Sequence, residues 1–216
     1  MTKPRLTKAL VVVAAVLALP ILPALLAGEF FGDTVASWLE NPPPKTVIAG
    51  AAAAVLAADI FLPVPSGPIN TLAGAQLGPV LATAVCWFGM TLGAIAAFAL
   101  AKWFGPRLVT SFATQADLDA LLTAWRGRET MVLFTTRPLP VMAEAAVLLA
   151  GLVGVPFHRF LPAIALGNVV VAAIYSLAGH YAASSLQLGL ALLASMLAPI
   201  AGTAIVRVWF RNSSHP

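Results

Sequence analysis

Two apolar tracts broken by prolines and charged residues constrain this chain more than any other feature. The first runs Asp59-Ile-Phe-Leu-Pro63-Val-Pro65-Ser66-Gly67-Pro68 to Ala73-Gly74, the second Arg137-Pro138-Leu-Pro140-Val-Met-Ala-Glu144 to Ala150-Gly151. Proline removes a backbone donor and interrupts a helix, so neither tract reads as an ordinary spanning helix. Both nevertheless lie inside long hydrophobic stretches, where irregular backbone and charge are stable only beside a cavity or another protein segment. The pattern is that of a polar pathway through a membrane protein.

Composition agrees. Apolar residues make up 60% of the 216 and charged residues 9%, against about 45–50% and about 25% in soluble domains. Mean hydropathy is +0.94. Once several ~20-residue spans are placed, no length is left for a sizeable soluble domain. The net charge of +4 comes from basic residues standing singly at the ends of apolar stretches, which orients a chain in a membrane and does not form a nucleic-acid footprint. Cys86 is the single cysteine, which excludes an intramolecular disulfide and a CxxC metal site and reads as a packing residue. No cofactor and no metal are expected.

Lys3, Arg5 and Lys8 precede an apolar run over residues 9–27 that reaches ~28 Å as a helix, enough to span. A cleaved signal peptide is the rival reading, disfavoured by the length of the run and by Leu25-Leu26-Ala27 as a weak cleavage site. The loop that follows carries Glu29, Asp33, Glu40 and Pro42-Pro43-Pro44 and belongs outside. Residues 46–58 are apolar but too short to cross ~30 Å of hydrocarbon, so the chain is expected to turn back at Pro63 to Pro68 and return through residues 69–77. A span over residues 78–101 ends at Lys102, and Gly89-x-x-x-Gly93 within it is expected to seat a helix of the same bundle, with a homo-oligomer left open. Residues 106–129 place Thr114 and Asp117 at a helix start and Leu118, Leu121, Leu122 and Trp125 on one face, an interfacial amphipathic helix. The second broken tract, residues 131–155, is followed by spans over 160–178 and 184–206.

With both termini cytoplasmic, this scheme leaves Lys45 alone among the basic residues outside, so the positive-inside rule is obeyed. It also makes the halves inverted copies. Pro63-x-Pro65 with Ala73-Gly74 recurs as Pro138-x-Pro140 with Ala150-Gly151, and Gly93 and Gly105 recur at the same spacing as Gly167 and Gly179. The expected fold is an all-α integral membrane protein, an inverted repeat of two re-entrant helical hairpins plus about four transmembrane helices. Its parts are residues 1–46 (first span and outside loop), 47–182 (the core with both broken tracts) and 183–216 (a last span and short cytoplasmic tail).

Along residues 59–181 the chain resembles the DedA family, also called the VTT or SNARE-associated domain. The resemblance rests on the Pro-rich segments closing with Ala73-Gly74 and Ala150-Gly151, on Phe98-x-x-x-Lys102, and on Arg137-Pro138-Leu-Pro140 followed by Val155-Pro-Phe-His-Arg-Phe160. The family often has Glu where this chain has Asp59, and a second arginine where this chain offers Glu144. The resemblance implies a multi-pass protein of the bacterial inner membrane, not an enzyme, that translocates lipid. It would act as a scramblase of phospholipids or as a proton-coupled flippase of phosphatidylethanolamine or a polyprenyl phosphate.

The residues themselves fit an anionic headgroup. Helices starting after Pro68 and Pro140 would aim free N–H groups at a phosphate, and Arg137 can grip it in bidentate fashion or, alternatively, neutralise Asp59 or Glu144. Each charge at the midplane costs about 2.5–3.5 kcal/mol. Protonating one carboxyl leaves this set neutral, which makes Asp59 or Glu144 a candidate proton carrier. Ser66, Asn70, Thr71 and Gln76 are expected to line the same path, with solvation of backbone at the break the alternative role for Ser66 and Asn70. Two other classes are open: a structural or assembly protein whose broken helices only pack, and an intramembrane lipid phosphatase. The second is disfavoured because Ser66-Gly67 is followed by Pro68 where a histidine is needed, while His158 and His180 fall at membrane edges.

Overall fold

The structure is a computed structural model that describes residues 41–59, 66–109, 127–137, 140–182 and 186–195, with Ser37 and Thr123. Among the described residues the regular elements are helices, without a strand. Pro42-Pro43-Pro44 keeps the chain extended, and the Pro44 carbonyl then accepts the N–H groups of Val47 and Ile48 as α1 (Lys45–Ala57) begins. There follow α2 (Ser66–Leu77), α3 (Pro79–Val109), α4 (Glu129–Thr135), α5 (Pro140–Leu152), α6 (Phe157–His180) and α7 (Leu186–Ser195). At 1.5 Å per residue α1, α2 and α5 each reach only about 20 Å, short of ~30 Å of hydrocarbon, whereas α3 and α6 reach about 46 and 36 Å. Two helical stretches, Pro79–Gly105 and Phe157–His180, are long and apolar enough to cross a membrane.

Both half-length helices that close the broken tracts end on the same device. Gly78 (φ 83°) and Gly154 (φ 73°) take the left-handed backbone that favours glycine, so their N–H groups turn back onto the last turns of α2 and α5. Gly78 donates to the Gly74 carbonyl at 3.1 Å, and Gly154 and Val155 donate to those of Gly151 and Ala150 at 3.2 and 2.9 Å. A proline then opens the next helix, Pro79 as the first residue of α3 and Pro156 as the N-cap of α6. Glu129 opens α4 and accepts the Gly127 N–H at 3.1 Å. Its own backbone N–H and that of Gly127 hold its carboxyl below the usual range.

Packing repeats in the same way. Helix α1 lies on α3 and α4 lies on α6; α2 crosses to α6 and α5 crosses to α3; α3 and α6 pack on each other. One apolar core joins α1 and α2 to the first half of α3 and the second half of α6, through Leu56, Ala73, Cys86, Met90 and Ala172. The other joins α4 and α5 to the first half of α6 and the second half of α3, through Leu133, Ala150, Phe160, Ile164 and Phe98. The crossings need small residues. Gly74 meets the Ser176 backbone and Gly179 the Thr71 backbone, both between α2 and α6, while Gly151 meets Phe98 and Ala101, and Gly105 meets Leu152, both between α5 and α3. Gly89 and Gly93 pack on Ala53, Leu56 and Ala57 of α1, inside the same bundle.

The outside of the bundle is apolar. On α6, Leu166, Val169, Val170, Ile174 and Leu177 are exposed at helical spacing, while the inner face carries Gly167, Asn168, Ser176 and Gly179. Surface of this kind suits hydrocarbon and not water.

The sequence-based boundaries need correction at three places. Helix α3 continues beyond Lys102 and through Pro106 to Val109. Lys102 and the exposed Trp103 and Phe104 mark an interfacial belt, where the apolar stretch ends but the helix does not. The return helix α2 starts at Ser66, because Pro68 is tolerated in a first turn, whose donors have no partner anyway. Residues 106–109 of the expected amphipathic helix belong to α3; the remainder of that helix, apart from Thr123 and 127–129, lies outside the described residues. So do the first span, Pro63, Pro65, Pro138 and the end of the last span.

Candidate functional site

Asp59 and Arg137 occupy matching places, each two residues beyond the first helix of its hairpin, where α1 ends at Ala57 and α4 at Thr135. Both line one cavity of about 120 Å³, together with Ser66, Glu144, Asn168, Met90 and Gly93. Gly93 lies midway along Pro79–Gly105 and Asn168 midway along α6, so the cavity sits at mid-height of both long helices. Glu144 and Leu148, which line it from α5, are exposed.

Arg137 is held by its stem. A Cβ built on Gly167 would come within 2.6 Å of the arginine Cγ and 3.2 Å of its Cβ, so the aliphatic chain lies directly on the α6 backbone. Beyond the stem, Nε and Nη2 are buried and have no hydrogen-bond partner among the described residues. Arg137 interacts electrostatically with Asp59 and with Glu144, and the two carboxyls interact with each other. The three charges expected at one depth are therefore neighbours. A guanidinium with Nε and Nη2 unengaged beside two carboxyls can bind an anion; a proton on one carboxyl makes the unoccupied set neutral, and a proton on each balances a bound monoanion.

The other expected lining residues divide. Ser66 lines the cavity. Asn70 and Thr71 do not. They are fully buried and their side chains turn back onto their own helix, Asn70 Nδ2 donating to the Ser66 carbonyl at 2.7 Å and Thr71 Oγ1 to the Gly67 carbonyl at 2.9 Å. Of the roles weighed for Asn70, backbone solvation is the one the geometry gives, because its amide turns back to the Ser66 carbonyl and toward Met90 of α3.

Phe98 and Lys102 lie away from the cavity. Phe98 stacks on Phe160 (centroids 4.2 Å apart, 24° between planes) and stands 6.2 Å from Phe157, while Lys102 Nζ sits 5.9 Å from the centre of the Phe98 ring. The motif thus fastens α3 to the Val155-to-Phe160 motif and holds a cation at the interface. Trp87 adds another tie between the long helices, donating from Nε1 to the Ala165 carbonyl at 2.9 Å. Neither His158 nor His180 lines the cavity. Among the described residues no group of His, Cys, Asp and Glu could hold a metal ion.

Sequence reasoning missed Asn168. It is 1% exposed and its Nδ2 donates to Thr91 Oγ1 at 3.1 Å, while its Oδ1 is buried without a partner among the described residues. The available signal was its isolation, since it is the one amide side chain in the apolar run over 160–178.

Comparison with curated proteins and with solved structures gives no match. The VTT domain model matches residues 64–181, more than half of the chain, from the first proline break to the end of α6. With two apolar helices of spanning length inside that match, the chain is a membrane protein of the VTT domain family, the DedA or SNARE-associated family.

Proposed function

We propose that this protein moves a phosphate-bearing lipid headgroup across the membrane, with Arg137 as the anion-binding group and Asp59 or Glu144 as the proton carrier. The observation that carries the reading is the buried guanidinium, whose Nε and Nη2 are unengaged among the described residues, at a mid-height cavity lined in part by the exposed Glu144 and Leu148. The headgroup would pass by way of this cavity while the acyl chains stay in hydrocarbon. The repeated hairpin packing supports an inverted repeat, in which α1–α3 and α4–α6 enter from opposite sides and the site at their junction is approached from each in turn. The route needs no covalent step, so the protein would act as a carrier and not as an enzyme, in the plasma membrane of a bacterium with both termini cytoplasmic.

Reconstitution tests this. Proteoliposomes loaded with labelled phosphatidylglycerol, phosphatidylethanolamine, phosphatidylcholine or polyprenyl phosphate, with and without a proton gradient, should show headgroup flipping above protein-free vesicles for at least one of them. Absence of flipping by correctly inserted protein would return the broken helices to the packing role of an assembly protein.

A further inference from the structure

We propose that Asn168 is a specificity-determining residue, whose amide oxygen accepts a hydrogen bond from an N–H or O–H donor on the headgroup that Arg137 holds. The inference rests on the reading of the cavity as a headgroup site and adds what that site selects. Asn168 lines the cavity and is 1% exposed, yet its Oδ1 has no partner among the described residues. A buried amide oxygen left unpaired is costly; Asn70 Oδ1 shares that state, but of the two asparagines it is Asn168 that lines the cavity, where a ligand could meet it. The oxygen is also fixed in direction, because Nδ2 is committed to Thr91 Oγ1 at 3.1 Å across the α3 and α6 contact. Thr91 is itself buried, so the pair forms a rigid acceptor.

Its place relative to Arg137 follows from sequence. Gly167, the residue beneath the arginine stem, immediately precedes Asn168. Gly167 and Asn168 are one 1.5 Å step apart along α6 and about 100° apart around it, and Arg137 and Asn168 both line the cavity. A phosphodiester gripped by Arg137 would bring the far end of a short headgroup to Asn168. An ethanolamine or glycerol headgroup carries donors there. A choline headgroup has the same phosphate and the charge of ethanolamine but no N–H, and so leaves the oxygen unpaired, which is how a site built to hydrogen-bond one ligand rejects its methylated analogue. Asp59 and Glu144, which also face the cavity, attract both cations and do not make this distinction.

The test uses purified full-length protein and two measurements. In detergent, thermal stabilisation by short-chain phosphoethanolamine and phosphocholine lipids reports binding; in proteoliposomes, labelled long-chain forms report flipping. The parent should favour the ethanolamine form in binding by about tenfold, the weight of one hydrogen bond from a charged donor. Asn168→Leu, which keeps the shape and removes the acceptor, should bring the ratio near one. Thr91→Val, which frees the amide to turn, should reduce it. Discriminating binding without flipping would remove the transport reading and leave the Asn168 assignment standing. Equal binding of the two lipids by the parent, no binding of either, or an unchanged preference in both variants would overturn the assignment.

Discussion

The aliphatic stem of Arg137 rests on the bare backbone of Gly167, with the arginine Cγ only 2.6 Å from where a Cβ would stand. The atoms that would clash are at the root of the arginine, not at its flexible end, so a methyl group there must displace the whole side chain. Gly167→Ala is expected to lower headgroup flipping by about tenfold or more, the scale of a misplaced binding group, while the protein still accumulates in the membrane. A flip assay alongside a membrane-fraction blot checks it.

Where α2 crosses α6, backbone meets backbone at Gly74 with Ser176 and at Gly179 with Thr71. Gly74→Ala or Gly179→Ala should destabilise the bundle by about 1–3 kcal/mol, the cost of overpacking. A melting curve in detergent should fall by several degrees. Gly50→Ala, in α1 with open space around it, should leave the curve in place or raise it slightly, since alanine is the better helix former.

Topology follows from the charge distribution and from the shortness of α1 and α2. Cysteines introduced at Ser37 and Lys45 should react with an impermeant thiol reagent added outside, and one at Arg128 should not. Reporters fused at Thr46 and Gly78 should read the same side of the membrane, because two helices of about 20 Å joined at a proline break return the chain to where it entered. Opposite sides would mean a full crossing.

Much of this arrangement is legible in the sequence because its causes are local. Pro63 to Pro68 and Pro138 to Pro140 interrupt apolar stretches, and of the paired glycines those at 93, 105, 179, 74 and 151 meet a neighbouring helix while Gly167 meets the stem of Arg137. Asp59, Glu144, Arg137 and Ser66 share a cavity because charge in an apolar tract has nowhere else to be stable. What the sequence does not carry is rotation about a helix axis. Asn70 follows Ser66 by one helical turn, yet its amide turns back to the Ser66 carbonyl and toward Met90 of α3 and does not line the cavity. Asn168 is the converse, a polar side chain in a plain spanning pattern that becomes functional only because α6 presents it at mid-height. The continuation of α3 past Lys102 was hidden for a third reason: hydropathy reports where the lipid ends, not where the helix ends.

Asp59 and Glu144 share the charge of Arg137, so their protonation sets the balance of the occupied site. Asp59→Asn and Glu144→Gln fix the neutral form. At least one of the two should flip lipid at a rate that no longer changes when the proton gradient is imposed or collapsed, whereas the parent rate should change. If both variants keep the parent's response to the gradient, neither carboxyl carries the coupling proton.

Arg137 itself gives the most direct measurement. Arg137→Lys retains the positive charge and loses the planar fork with its buried Nε and Nη2 donors. In proteoliposomes of matched protein content, the account predicts that flipping by Arg137→Lys falls by about tenfold or more, given the strength of bidentate charge-assisted bonds. Flipping at the parent rate by a folded, inserted Arg137→Lys protein would contradict it and reduce the arginine to a structural counter-charge.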